Sequence, residues 1–180
     1  MKTQRGQSLF MSSTSTRIAL FLFISLFLTG NMAGFSLEPT RLDLMIQSDH
    51  GDMCQIFFDT GAGFSEEESE KSIYQGEGKF QRVHFHYSKG KVTGLRIDPG
   101  TREDLYLIKS IRLLRLIPLY EFPLMKFVGT ATSAGIRDLR WEDGTLRIES
   151  TGGDPAFRIP VDHAAVLATS RKVLRMWWNV

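Results

Sequence analysis

From Arg41 onward, apolar side chains recur at every second position, and this spacing constrains the fold more than any other feature of the sequence. In one segment Val83, Phe85 and Tyr87 alternate with polar residues. The same spacing recurs in further short segments: 42–46, 95–97, 146–148 and 157–161. A period of two places one set of side chains on a buried face of a strand and the other set in water. The sequence therefore predicts many short, half-buried strands.

Turn-forming residues separate these segments. Stretches rich in glycine, proline and aspartate lie at 61–63, 89–90, 98–100, 143–144 and 152–155. These residue types adopt the backbone conformations that tight turns require. Short strands joined by turns, without intervening helices, are typical of all-β proteins. We therefore expect an antiparallel, jelly-roll-like β-sandwich over residues 39–162.

Three segments depart from this pattern. Residues Ser65 to Ser72 are acidic and poor in strand-forming side chains, so we expect a loop or a short helical turn there. The run from Tyr106 to Ile117 is longer, apolar and basic, and is expected to be a long strand with a bend. Residues 163–180 have helical spacing, which predicts a short C-terminal helix or tail. Packing on the sandwich is the simpler role for that helix, and contact with a membrane interface is the alternative.

Residues 1–37 have the layout of a targeting segment. Ile18 to Leu37 contain no charged side chain, Lys2, Arg5 and Arg17 precede them, and the first acidic residue is Glu38. This layout is typical of a signal peptide or of an N-terminal transmembrane anchor with its basic end in the cytoplasm. As a helix, residues 18–37 would reach roughly 30 Å, which just crosses the hydrocarbon layer. We therefore expect the remaining chain to lie outside the cytoplasm, either secreted or held by a single-pass anchor.

Charge and cysteine content exclude several classes of protein. After residues 1–37 are set aside, 19 basic and 20 acidic residues remain, a formal net charge of −1. This balance argues against a nucleic acid as the partner. The single cysteine, Cys54, excludes an internal disulfide and a cysteine-rich metal centre. His84 and His86 share one face of a strand, but no third ligand is evident, so the sequence predicts no zinc site at these histidines.

Residues Phe57 to Ala62 match the catalytic loop of aspartic proteases, in which two apolar residues precede Asp-Thr-Gly. That chemistry needs two aspartates sharing one proton. Because the chain has one such triplet, Asp59 would be catalytic only in a homodimer of the retropepsin-like kind. Glutamates at 66–68 follow where the proteases continue as an apolar strand. The protease is therefore the alternative, and apart from Asp59 no catalytic residue is indicated.

Three segments, in this order and spacing, resemble another family: 51–69, 95–112 and 144–155. The first contains Gln55-Ile-Phe-Phe-Asp-Thr-Gly-Ala-Gly-Phe-Ser, the second Leu95-Arg-Ile-Asp-Pro-Gly, and the third ends in Gly-Asp-Pro155. Together they resemble an extracytoplasmic, carbohydrate-binding-like β-sandwich domain associated with bacterial membrane glycosyltransferases and surface-polysaccharide proteins. The resemblance implies a non-catalytic module that binds glycan or a membrane glycosyltransferase on the extracytoplasmic side of the inner membrane, in the periplasm or outside. The multi-helix membrane region of larger members is not seen after Pro160, so their transferase activity is not expected.

The ligand-binding candidates are Asp59, Glu67, Arg96, Asp98, Trp141 and Asp154. The simpler role of the four acidic residues is to turn the chain at the ends of strands. Alternatively, they converge on sugar hydroxyls or on a structural calcium ion, which prefers oxygen ligands. Arg96 suits acidic polysaccharide or lipid phosphate, and Trp141 is either a platform for a sugar ring or part of the core. No other cofactor is expected.

Overall fold

The computed structural model describes residues 41–86, 91–114, 118–128, 133–162, 164–169 and 172. Its strands form a six-stranded and a five-stranded sheet, and the pairings are antiparallel. This arrangement confirms the all-β fold class. The predicted targeting segment, residues 1–37, lies outside the described residues. In the part of the chain that the structure describes, no helix has the length and apolar character needed to cross a membrane.

The strands in chain order are β1 (Arg41–Gln47), β2 (Asp52–Asp59), β3 (Ser69–Tyr74), β4 (Gln81–His86), β5 (Gly94–Asp98), β6 (Leu105–Leu114), β7 (Pro118–Glu121), β8 (Ser133–Ala134), β9 (Ile136–Glu142), β10 (Thr145–Ser150) and β11 (Ala156–Pro160). Sheet A has the order β4-β1-β6-β10-β9, and β7 pairs with β6 outside this path. Sheet B has the order β3-β2-β5-β11-β8. Short 3-10 helices span Glu66–Glu68 and Leu124–Phe127.

Both sheets contribute to one hydrophobic core. Sheet A supplies Leu42, Leu44, Val83, Phe85, Ile108 and Ile148, and sheet B supplies Ile56, Phe58, Leu95, Ile97, Phe157 and Ile159. These are the alternating positions of their strands, so the period-two pattern correctly predicted the buried faces. Cys54 is completely buried in the same core, and this burial raises the pKa of its thiol.

The predicted turns at 143–144 and 152–155 contain residues with positive φ, whereas the predicted turn at 89–90 lies outside the described residues. Asp143 and Gly144 join β9 to β10 with φ values of 49° and 74°. Gly152, Gly153 and Asp154 precede β11 with φ values of 87°, 56° and 61°. Glycine and aspartate tolerate this left-handed region better than most residues. The choice of residues at these two turns therefore follows from the backbone.

The acidic segment was predicted only in part. Its first half is the expected helical turn, Glu66–Glu68, but the expectation of a loop through Ser72 is wrong because β3 begins at Ser69. β3 lies at the edge of sheet B and pairs with β2 from Ser69 to Tyr74. An edge strand buries few side chains and tolerates polar ones, and only Tyr74 of β3 is buried.

The expected bend in the long strand is a β-bulge. The strand is β6, and its register with β1 shifts between Met45 and Ile46. Met45 lies opposite Ser110 and Ile46 lies opposite Ile108, which leaves Lys109 as the extra residue. At the C-terminus, residues 164–169 and 172 are helical, and the rest of the predicted helix, including 173–180, lies outside the described residues.

Candidate functional site

A cavity of about 600 Å³ lies over sheet A. Its described lining is Met45, Phe80, Lys109, Ser110, Arg112, Glu121, Trp141 and Gly144. The volume falls in the range of about 300–1,000 Å³ that is common for small-molecule sites. The lining combines apolar rings with hydrogen-bonding groups, as such sites usually do.

The β-bulge brings two consecutive side chains to this cavity. In a regular strand, Lys109 and Ser110 would point to opposite faces of the sheet. Because Lys109 is the extra residue of the bulge, both line the cavity. Bulges occur preferentially beside binding and active sites, where they redirect side chains.

The charged side chains of the cavity differ in their partners. Arg112 donates from Nε to Glu121 Oε2 at 2.9 Å. The ammonium of Lys109 lies 5.6 Å from the centroid of the Phe80 ring, a cation–π contact, and no ion pair joins it to a described carboxylate. Ser110 is 6% exposed, and its hydroxyl has no hydrogen bond to another described residue. The cavity therefore offers a cation and a hydroxyl that the described fold does not use.

Two aromatic residues give the cavity its apolar wall. Phe80 is 37% exposed, an unusual value for a large apolar side chain in this domain. Trp141 lies opposite Leu146 in the β9–β10 pairing, packs partly against the core and also lines the cavity. Trp141 therefore packs against the core, which was one of its two predicted roles, and the other role, a platform for a sugar ring, stays a prediction.

Three of the sequence-derived candidates meet on sheet B. Arg96 donates from Nη2 to Asp98 Oδ2 at 2.6 Å and from Nε to Asp98 Oδ1 at 2.9 Å. The same Nη2 lies 3.2 Å from Asp154 Oδ2. The guanidinium also stacks 4.6 Å from the centroid of the Phe57 ring. We call these four residues the Arg96 cluster.

The charged groups of the Arg96 cluster pair with one another. Burial raises the pKa of Asp98 to about 6, although the Arg96 guanidinium opposes the shift. Burial acts to lower the pKa of Arg96, but its hydrogen bonds and charge interactions with Asp98 and Asp154 outweigh it and raise the pKa. The positive charge between the Asp98 and Asp154 carboxylates is therefore the Arg96 guanidinium. Within the described ranges, no group of three or more His, Cys, Asp or Glu residues is placed to hold a metal ion.

Asp59 and Glu67 are not part of this cluster. Asp59 ends β2, and its Oδ1 accepts hydrogen bonds from the amides of Gly61 and Gly63 at 2.8 and 2.9 Å. These amide hydrogen bonds lower the pKa of the Asp59 carboxyl. Glu67 is exposed in the 3-10 helix that follows. The structure therefore places Asp59 in a turn that its own side chain stabilises.

The two histidines of β4 contact different carboxylates. His84 Nδ1 lies 2.7 Å from Asp43 Oδ1, and His86 Nδ1 lies 3.5 Å from Glu70 Oε2. Asp43 is buried in sheet A and also pairs with Arg41 at 2.9 Å. His84 is thus one partner of a buried carboxylate, which the sequence pattern did not indicate.

Most residues of the cavity were missed by the sequence analysis, which singled out only Trp141. They come from β1, β6, β7, the residue before β4 and the β9–β10 turn, so no local motif contains them. The one available signal was the polar pair Lys109-Ser110, which interrupts the apolar alternation of β6.

The comparisons with known proteins add no relative to this description. No protein-family model matches the chain, and neither a curated protein nor a solved structure matches it. The geometry and chemistry of the cavity and of the Arg96 cluster are therefore the basis for assigning a function.

Proposed function

We propose that this chain is a non-catalytic glycan-binding module and that the cavity over sheet A is its binding site. The observation that carries the proposal is the cavity of about 600 Å³, which combines two aromatic rings with charged and hydroxyl groups. The module would be a jelly-roll-like sandwich, exported or anchored through residues 18–37, that acts in bacterial surface-polysaccharide assembly.

The chemistry of the lining suits a sugar. A sugar ring has an apolar face of C–H groups and a rim of hydroxyls. Phe80 and Trp141 supply apolar surface for the ring, and aromatic side chains contribute large contact areas with few rotatable bonds. Ser110 and Lys109 supply hydrogen-bond donors for the hydroxyls, and Glu121 supplies acceptors.

The lining favours binding over hydrolysis. Most glycosidases place two carboxyl groups on either side of the scissile bond. The described lining contains one carboxylate, Glu121, and it is hydrogen-bonded to Arg112 at 2.9 Å. The described lining thus lacks the pair of carboxyl groups that hydrolysis uses, and Glu121 remains as a hydrogen-bond acceptor for sugar hydroxyls.

The resemblance of the three segments supports the assembly context. Phe57 belongs to the first segment, Arg96 and Asp98 to the second, and Asp154 to the third, and all four side chains meet in the Arg96 cluster. The Arg96 guanidinium therefore contacts residues of all three segments, although these segments are far apart in the sequence. Such contacts are expected if the three segments are motifs of a single type of domain. The proposal needs no cofactor, and its partners are a glycan and, through the resemblance, a membrane glycosyltransferase.

Affinity electrophoresis of the full-length chain, in gels containing neutral or acidic polysaccharides, tests the proposal. We expect at least one polysaccharide to retard the chain. Phe80→Ala should weaken that binding about tenfold, because an aromatic contact contributes about 0.5–1.5 kcal/mol beyond its buried area. Ile73→Ala is the matched control, since Ile73 is 81% exposed on β3 and is not among the described lining residues.

Two results would contradict the proposal. If no polysaccharide retards the chain, it is not a glycan-binding module. If Phe80→Ala and the parent chain are retarded equally, the binding site is not the cavity.

A further inference from the structure

We infer that the cavity selects glycans that carry carboxylates, namely uronic-acid residues, and that Lys109 and Arg112 hold the carboxylate. The inference rests on the proposed function, because it assumes that the cavity binds glycan. It adds the chemical class of the ligand and the two side chains that recognise it.

The first argument is the missing counter-charge of Lys109. Several arginines on the described sheets have a carboxylate partner close by, for example Arg41–Asp43 and Arg96–Asp98, whereas Lys91 and Arg158 have none among the described residues. Lys109 differs from Lys91 and Arg158 because it lines the cavity. Lys109 instead rests over the Phe80 ring at 5.6 Å, and no described carboxylate pairs with it. Its ammonium is therefore held beside the cavity and is free to bind an anion.

The second argument is the set of donors on Arg112. Its Nε is bonded to Glu121, but a guanidinium carries five N–H donors in a planar fork. The terminal Nη atoms therefore remain suited to a carboxylate, which a guanidinium binds with good geometric match. Lys109 and Arg112 together outweigh Glu121 by one positive charge among the described lining residues.

The third argument is the position of Ser110 between these two cations in the chain. Ser110 is 6% exposed and lines the cavity, and its hydroxyl has no hydrogen bond to another described residue. A carboxylate between Lys109 and Arg112 would accept a hydrogen bond from this hydroxyl as well. A neutral glycan would offer the Lys109 ammonium hydrogen-bond acceptors but no negative charge.

The lining also distinguishes a uronic acid from a lipid phosphate. Both ligands would satisfy Lys109 and Arg112. Glu121 would repel either anion, but its carboxylate can also accept hydrogen bonds, and a uronic acid carries several hydroxyl donors on the same ring. The Phe80 and Trp141 rings likewise offer contact area to a sugar ring, and we therefore favour the glycan.

Isothermal titration of the full-length chain with trigalacturonic acid and with its methyl ester tests the inference, because esterification removes the carboxylate charge and adds only a methyl group to each carboxyl. We expect the acid to bind at least tenfold more tightly than the ester at low ionic strength, and added salt to reduce the difference. Lys109→Gln should abolish most of this preference. Lys91→Gln makes the same chemical change at an exposed lysine outside the described lining and should retain it.

Equal affinity for acid and ester, or an unchanged preference in Lys109→Gln, would overturn the inference and leave the proposed function intact. Binding to neither ligand, nor to any polysaccharide in the gels, would overturn both. Flotation with phosphatidylglycerol and phosphatidylcholine vesicles tests whether the anion bound by the cavity is a lipid headgroup instead of a glycan carboxylate. A preference for phosphatidylglycerol that Lys109→Gln removes, without binding to trigalacturonic acid, would replace the glycan with a membrane. Matching melting temperatures of both glutamine variants and the parent chain confirm that folding is unchanged.

Discussion

Replacing Arg96 by methionine tests how far the buried carboxylate of Asp98 depends on the guanidinium beside it. The Asp98 side chain is 6% exposed and receives two hydrogen bonds from Arg96, at 2.6 and 2.9 Å. Removing one partner of a buried ion pair typically costs about 3–5 kcal/mol, because the other charge stays buried without compensation. Because the Arg96 side chain is 21% exposed, we expect the free energy of unfolding to fall by the lower value in this range, about 3 kcal/mol, at pH 8. This is a large share of the roughly 5–15 kcal/mol by which domains are stable.

The amount by which Arg96→Met lowers the free energy of unfolding should depend on pH. Burial raises the pKa of Asp98 from 3.8 to about 6 in the folded protein. A raised folded pKa means that the stability this group contributes is fully present below pH 3.8 and is lost as pH rises through about 6. At pH 5 the Asp98 carboxyl is therefore largely protonated with or without Arg96. The substitution then removes the hydrogen bonds to Asp98, the exposed contact with Asp154 and the stacking on Phe57, and we expect a loss of about 1–2 kcal/mol at pH 5.

Urea unfolding of the full-length chain at pH 5 and pH 8 measures both losses. Arg158→Met is the matched control, because Arg158 lies opposite Arg96 on β11 and stacks 5.1 Å from the Phe64 ring. No ion pair of Arg158 with a carboxylate is found in the described residues, so its loss should stay below about 1 kcal/mol at both pH values. Adding Asp98→Asn to Arg96→Met should remove the pH dependence. The reasoning is refuted if Arg96→Met loses the same free energy at both pH values, or loses none at pH 8.

Two further predictions concern the turns. Asp59→Asn should lower the free energy of unfolding by less than about 1 kcal/mol in thermal melts, because an asparagine Oδ1 still accepts the two glycine amides. A casein-cleaving activity of the parent chain that this substitution abolishes would instead support the aspartic-protease alternative. Gly100→Ala should cost about 1–3 kcal/mol in urea unfolding, because its methyl group would lie 2.6 Å from Asp52 Oδ2 and would also clash with the Tyr106 hydroxyl. An unchanged midpoint would show that the loop moves aside freely.

The strand pattern was predictable because it depends on a local property. In β4, Val83 and Phe85 are buried while His84 and His86 are exposed, as the alternation required. The same reasoning underestimated β3, where five of six side chains escape full burial and the apolar signal is correspondingly weak. Pairing with β2, rather than any property of the segment itself, makes Ser69–Tyr74 a strand.

The sequence indicated which residue types could form a site, but not which of those residues lie close together in the fold. Asp98 and Asp154 were expected mainly to turn the chain, with convergence as the alternative, and in the structure both carboxylates contact Arg96. Their meeting depends on the pairing of β5 with β11, which no local pattern specifies. The cavity depends further on a register shift of one residue between β1 and β6.

The sequence drew attention to the acidic turns, whereas the structure draws attention to the cavity. The reason lies in which polar groups already have a partner within the described fold. Turns select aspartate because its side chain bonds nearby backbone amides, so a search by residue type finds turn carboxylates first. Asp59 is used by its own turn, and Asp98 and Asp154 are used by Arg96. Over sheet A, by contrast, the bulge leaves the Lys109 ammonium and the Ser110 hydroxyl without a described hydrogen-bonding partner. A ligand that carries both a negative charge and hydrogen-bond acceptors would pair with both groups, and for this reason we propose the binding site at the bulge rather than at the acidic turns.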